Sequence, residues 1–79
     1  MNEKELLNRI VIDPKIMVGK PIIKGTRLTV QYILGLLAQG MTVEEIIQEY
    51  KNVTKEDILA CFSFVRDALA NTTFAPLSI

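Results

Sequence analysis

Two stretches of this sequence open alike, twelve residues apart: Met41-Thr42-Val43-Glu44-Glu45-Ile46-Ile47 and Val53-Thr54-Lys55-Glu56-Asp57-Ile58-Leu59. In the first, the Thr42 hydroxyl is placed to accept the backbone N–H of Glu45, whose carboxylate reaches back to the start of the helix. That is a capping box, and Met41 with Ile46 supplies the hydrophobic staple. The second stretch repeats the box with Asp57, a shorter partner that still suits the positive end of a helix dipole. Only Lys51-Asn52-Val53 separates the two helices, which makes a helix-turn-helix arrangement the natural geometry.

The apolar spacing extends the pattern in both directions. Val30, Ile33, Leu34 and Leu37 recur at i, i+3, i+4 and i+7, with Thr29 as N-cap and Gly40 where a C-terminal glycine belongs. Gly35 inside that helix costs about 1 kcal/mol of propensity, which predicts a close approach by a neighbour. Val43, Ile46, Ile47 and Tyr50 repeat the stripe on the second helix. The third is expected from Lys55 to about Ala70, facing inward through Ile58, Phe62, Val65 and Leu69, widened by Leu59, Cys61 and Phe64.

The first third is built differently. Arg9-Ile10-Val11-Ile12, closed by Asp13-Pro14, and Pro21-Ile22-Ile23-Lys24, followed by Gly25, read as the two strands of a small hairpin. Pro21 restricts the second to an edge or places the proline at a strand start. Residues 3–8 are expected to form a turn of helix through Leu6 and Leu7, and residues 71–79 an extended tail. The organisation expected is one domain over 1–79, with a hairpin arm (9–28), a three-helix core (29–70) and the tail.

Composition narrows the function classes. Apolar residues make up 49% of the 79, too many for a disordered chain. The longest apolar run is five residues, Ile58 to Phe62, far short of the roughly 20 needed to span a bilayer. The N-terminus has no secretory pattern, and one cysteine permits no disulfide within the chain, so a cytoplasmic location is expected. So apolar a chain of this size has more hydrophobic side chains than its own core can cover, which predicts a homodimer. Net charge is zero but divided: residues 1–27 carry +3 and residues 28–79 carry −3. A basic arm on an acidic body suits nucleic acid or an acidic partner, and equally suits ordinary solubilising charge.

Catalytic patterns are missing. There is no histidine. Cys61 lies among apolar helix residues and reads as a core thiol. Gly19-Lys20 lacks the flanking glycine and the Ser or Thr of a phosphate loop, because Pro14 and Pro21 stand there. Glu44-Glu45 and Glu56-Asp57 are accounted for by capping. No enzyme, cofactor or metal is expected. What stands out is Gly19-Lys20-Pro21-Ile22-Ile23-Lys24-Gly25-Thr26-Arg27, with two glycines, a proline and three cations in nine residues. It reads either as a rigid loop displaying charge for close approach or as a plain strand-to-helix connection.

These residues, with Arg9 to Pro14, Thr29-Val30, Gln39-Gly40-Met41-Thr42, Glu44-Glu45-Ile46 and Tyr50, resemble the small bacterial and archaeal domain-of-unknown-function family 433, often grouped with VapB-like antitoxins. The resemblance covers roughly residues 9–70. It implies a mainly α, three-helix, homeodomain-like helix-turn-helix domain preceded by a short N-terminal β-hairpin, commonly dimeric. It also implies, from some members, an antitoxin paired with a PIN-like ribonuclease, and the function expected here is an antitoxin and DNA-binding autoregulator acting on promoter DNA. The alternative is a dimeric protein-interaction module that binds no DNA. Gly19, Lys20, Pro21, Gly25, Thr26 and Arg27 match the family motif. Where many relatives have proline after the second helix's tyrosine, this chain has Lys51. For DNA, the expected phosphate contacts are Arg9, Lys20, Lys24 and Arg27, with Asn52 and Lys55 at the start of the recognition helix. Its first turn, Lys55-Glu56-Asp57, is acidic for that task.

Overall fold

The computed structural model describes residues 2–73. A short helix α1 (Glu3–Leu7) opens it, capped by Asn2, whose side-chain oxygen accepts the Glu5 N–H. The hairpin follows. β1 (Ile10–Val11) pairs antiparallel with β2 (Ile22–Ile23), Ile10 opposite Ile23 and Val11 opposite Ile22. Three helices complete the chain: α2 (Val30–Ala38), α3 (Val43–Glu49) and α4 (Lys55–Ala70). The protein is therefore mainly helical with a two-stranded antiparallel hairpin near its N-terminus, as the sequence predicts. Of the expected tail, residues 74–79 lie outside the described residues. No described helix is long and apolar enough to cross a membrane.

Local signals account for every helix start. Thr29, Thr42 and Thr54 each accept the N–H three residues on, and both capping boxes are complete. α2 ends in a Schellman motif: Met41 N–H donates to the Leu36 carbonyl and Gly40 N–H to that of Leu37. Gly40 has φ +102, which a residue with a Cβ tolerates poorly. The α3–α4 turn, without proline at Lys51, is closed by Val53 N–H on the Tyr50 carbonyl at 3.0 Å. Val53 itself is buried.

Ile23, Val30, Ile33, Ile46, Val53, Ile58 and Cys61 form one core cluster. Both residues of β2 are buried, so the hairpin is a wall of the domain and not a projecting arm. The Pro21 carbonyl accepts the Val30 N–H at 2.9 Å, which fastens the entrance of β2 to the start of α2.

Two expectations need correction. Nothing approaches Gly35, whose added Cβ would meet open space. On α4 the inward face is Ile58, Ala60 and Cys61, flanked by Phe64 and Val65, while Leu59, Phe62 and Leu69 are 42%, 46% and 52% exposed. Apolar residues occupy nearly every position from Ile58 to Leu69, so spacing alone defines two candidate stripes. The stripe that packs inward, against α2, α3 and β1, is the one that holds alanine and cysteine.

Two outcomes follow from this packing. Ile46→Asp should abolish the cooperative thermal melt, because a buried unpaired carboxylate costs several kcal/mol in a domain of marginal stability. Leu37→Asp, at a half-buried site, should weaken the melt less, and the exposed Glu49→Ala should leave stability within about 0.5 kcal/mol. The capping box adds a pH dependence. The Thr42 backbone N–H, and secondarily its hydroxyl, hold the Glu45 carboxyl below its ordinary 4.5. A lowered folded-state value gives stability that is present above about pH 4.5 and lost as pH falls below it. Glu45→Gln should flatten that acid limb in urea melts.

Candidate nucleic-acid interface

The nine-residue segment from Gly19 to Arg27 is shaped by backbone first. Before it, the chain makes a left-handed turn: Met17, Val18 and Gly19 have φ of 49, 57 and 76. Two of these are not glycine, and Val18 is β-branched, so the turn carries strain. Val18 is 91% exposed at its tip. The turn delivers Lys20 and Pro21 into β2. After β2, Gly25 (φ 83) reverses the chain again, and Thr26 holds the reversal. The Thr26 hydroxyl donates to the Ile23 carbonyl at 2.8 Å and accepts the Leu28 N–H at 3.0 Å. Gly19, Pro21, Gly25 and Thr26 thus all serve the loop's shape.

The cations are brought together around Arg27. With Met17, Lys20 and Tyr32 it borders a hollow of about 260 Å³. With Lys24, Thr26 and Asp13 it borders a second of about 510 Å³. Lys20, Lys24 and Arg27 are all exposed, and none has an ion-pair partner among the described residues. Asp13 is the acid that lines the second hollow, and one of its carboxylate oxygens accepts the Lys15 N–H at 2.9 Å.

Arg9 plays another part. Its Nη1 lies 3.0 Å from Oδ1 of Asp57, and its side chain is two-thirds covered. The other Asp57 oxygen accepts the Thr54 N–H at 2.9 Å. Asp57 is only 6% exposed. Its charge, which makes the first turn of α4 look unfavourable to a polyanion, is therefore neutralised from within the protein. The exposed charges around that turn are Lys51, Lys55 and the partly covered Glu56, with Asn52 exposed between them.

Two links join the basic loop to this turn. The Arg9 carbonyl accepts the Lys24 N–H at 2.8 Å while the Arg9 side chain grips α4. Tyr32, from the Lys20–Arg27 hollow, shares a hydroxyl–hydroxyl hydrogen bond with Tyr50, the residue before Lys51. The rings meet edge to face with centroids 6.0 Å apart. That hydrogen bond, reinforced by burial, holds the Tyr50 phenol above the ordinary tyrosine range. Sequence reasoning missed Asp57 as an ion-pair partner and missed the tyrosine pair. A signal for the first was present: Asp57 sits beside Ile58 and four residues before Cys61, on the inward stripe, where an acid needs a cation. Cys61 is buried, and burial with the Asp57 charge pushes its thiol up to about 12, which leaves it inert as a nucleophile.

Fold and surface together define a small helix-turn-helix domain walled by a basic β-hairpin. The chain belongs to the DUF433 family, described as a protein of unknown function, whose model matches residues 10–65. It is similar in structure to a DUF433 member protein from Anabaena variabilis, with a TM-score of 0.75 and 27% identity, over 85% of this chain and 66% of that one. A segment of 24 residues is 62% identical to an uncharacterized protein of Archaeoglobus fulgidus, covering 30% of this chain and 67% of the relative.

The Arg9–Asp57 pair can be tested by stability. Asp57→Ala removes a cap and a charged hydrogen bond together and should cost roughly 2–3 kcal/mol in urea unfolding. Asp57→Asn, which keeps an acceptor for Thr54, should cost less. Equal losses would show that capping contributes nothing beyond the charge.

Proposed function

We propose that the chain is a dimeric DNA-binding regulator of the antitoxin type, in which the basic hairpin holds the phosphate backbone. The observation that carries this reading is the convergence of Lys20, Lys24 and Arg27 around one rigid loop, with no acid paired to them among the described residues. Rigid, unpaired cations are what a phosphate backbone needs, because each contact releases counterions without first breaking an ion pair. The neutralisation of Asp57 by Arg9 supports the same reading, since it leaves Lys51, Asn52 and Lys55 to face base edges or phosphates at the start of α4. Arg9 serves as the tie between these elements and not as a phosphate ligand. The antitoxin part, with a PIN-like ribonuclease as partner, rests on the family resemblance.

A second reading, a dimeric interaction module without a nucleic-acid role, is favoured by one feature. The outward face of α4 carries Leu59, Phe62 and Leu69 where a groove-reading helix normally carries hydrogen-bond donors.

Salt dependence separates the two. Binding to a duplex from the chain's own promoter, followed by fluorescence anisotropy, should weaken steeply with salt. Replacing Lys20, Lys24 and Arg27 together by alanine should reduce the slope by roughly two to three units. Asn52→Ala and Lys55→Ala should alter sequence preference more than slope. A folded triple variant with unchanged affinity and slope would remove the hairpin as the clamp. No binding by the unsubstituted protein at about 50 mM salt, where even non-specific binders hold DNA, would leave the interaction module as the reading.

A further inference from the structure

The outward face of α4 is apolar where a surface helix is normally charged. Between Ile58 and Ala70 the sequence holds two charged residues, Arg66 and Asp67. The exposed residues Leu59, Phe62, Arg66 and Leu69 follow one another at spacings of three, four and three. This is the a/d seam of a helix that packs against another helix, not the broader stripe of one packed on a core.

The order of these spacings is palindromic. Turned about a two-fold axis through position 64, the stripe places Leu59 on Leu69 of the second copy and Phe62 on its Arg66. A parallel copy would instead set Arg66 against Arg66. Only the antiparallel pairing gives the lone cation of the seam an aromatic face in place of a like charge. Arg66 is already held at its edge, by Glu3 from α1 and by Asp67 at 3.0 Å, so the face of its planar guanidinium stays free for stacking. Ser63 and Ala70 flank the seam and are small enough for close helix approach.

From this complementarity we infer that the occupant of the α4 face is a second copy of the chain, bound as an antiparallel α4–α4 pair with Phe62 under the partner's guanidinium. The inference rests on the self-association in the reading above and not on its DNA binding. It has a geometric consequence. Lys55 lies nine residues from the axis, so the two α3–α4 turns stand at opposite ends of the seam, about 27 Å apart at about 1.5 Å per residue. That is somewhat less than the spacing of about 34–36 Å between successive major grooves on one side of a duplex.

Sedimentation at micromolar concentration should give about twice 8.9 kDa for the unsubstituted chain. Because symmetry duplicates each contact, Phe62→Ala and Arg66→Ala should each raise the dimer dissociation constant about tenfold. The double variant should lose little more than either alone. Both side chains are exposed, so the thermal melt of the dilute monomer reports any separate loss of fold. Direction is read by disulfide trapping, with the inert Cys61 left in place. Leu59→Cys mixed with Leu69→Cys should cross-link, whereas Leu59→Cys alone should not, its two copies lying about 15 Å apart. Cross-linking of Leu59→Cys alone, or a dimer unaffected by the Phe62 and Arg66 variants, overturns the seam. A monomeric unsubstituted chain overturns the seam and the self-association together, while DNA binding is still read separately from the salt slope.

Discussion

The Arg9–Asp57 ion pair is the contact on which the rest of the arrangement depends. A carboxylate this deeply covered is costly unless it is paired and hydrogen-bonded. Here it receives the guanidinium on one oxygen and the Thr54 N–H on the other, at the positive end of α4. Arg9 is also the residue whose carbonyl takes the Lys24 N–H. One side chain therefore fixes where α4 begins and where the hairpin lies against it. The basic loop inherits its position from that pair, and a helix start that looks hostile to a polyanion loses half of its acidity in the same contact.

The three long helices were legible because their signals are local. Thr29, Thr42 and Thr54 act within three residues of themselves, and Gly40 acts through a backbone conformation that other residues avoid. The hairpin was legible for a similar reason, since Ile10-Val11 and Ile22-Ile23 are short β-branched runs closed by turn residues. What escaped the sequence is non-local. Arg9 and Asp57 are 48 positions apart. The tyrosine pair joins two helices, and nothing in the spacing of Tyr32 and Tyr50 announces a shared hydrogen bond. The facing of α4 escaped for a different reason: with apolar residues on both sides, the choice between Cys61 and Phe62 as the inward residue is made by tertiary packing and not by spacing.

The two surfaces of α4 explain each other. Its inward face, packed against α3 and β1, holds the small Ala60 and Cys61, while the larger Leu59, Phe62 and Leu69 are left exposed. Of the eight large hydrophobics exposed among the described residues, three lie on this one helix face. Among the described residues no element covers that face, which α1 flanks through Glu3 and Arg66. In the antiparallel pairing proposed above, a second copy supplies the cover, because the spacing of the seam reads the same in both directions.

The strained turn at Met17-Val18 fits the same logic at the basic surface. Left-handed backbone at a β-branched residue costs of order 1–3 kcal/mol and persists only where the surroundings hold it. Here the Lys20 N–H bonds the Met17 carbonyl at 3.2 Å and Gly19 N–H bonds that of Ile16 at 3.1 Å. A relaxed, wider turn would carry Lys20 away from Arg27 and open the hollow that the two share with Tyr32. Val18 gains no burial in exchange, since it stands almost fully exposed at the tip. The strain therefore has its structural return in the placement of Lys20. Lys20 and Lys24 each come to border a hollow with Arg27 because the chain on either side of β2 is forced through a tight reversal.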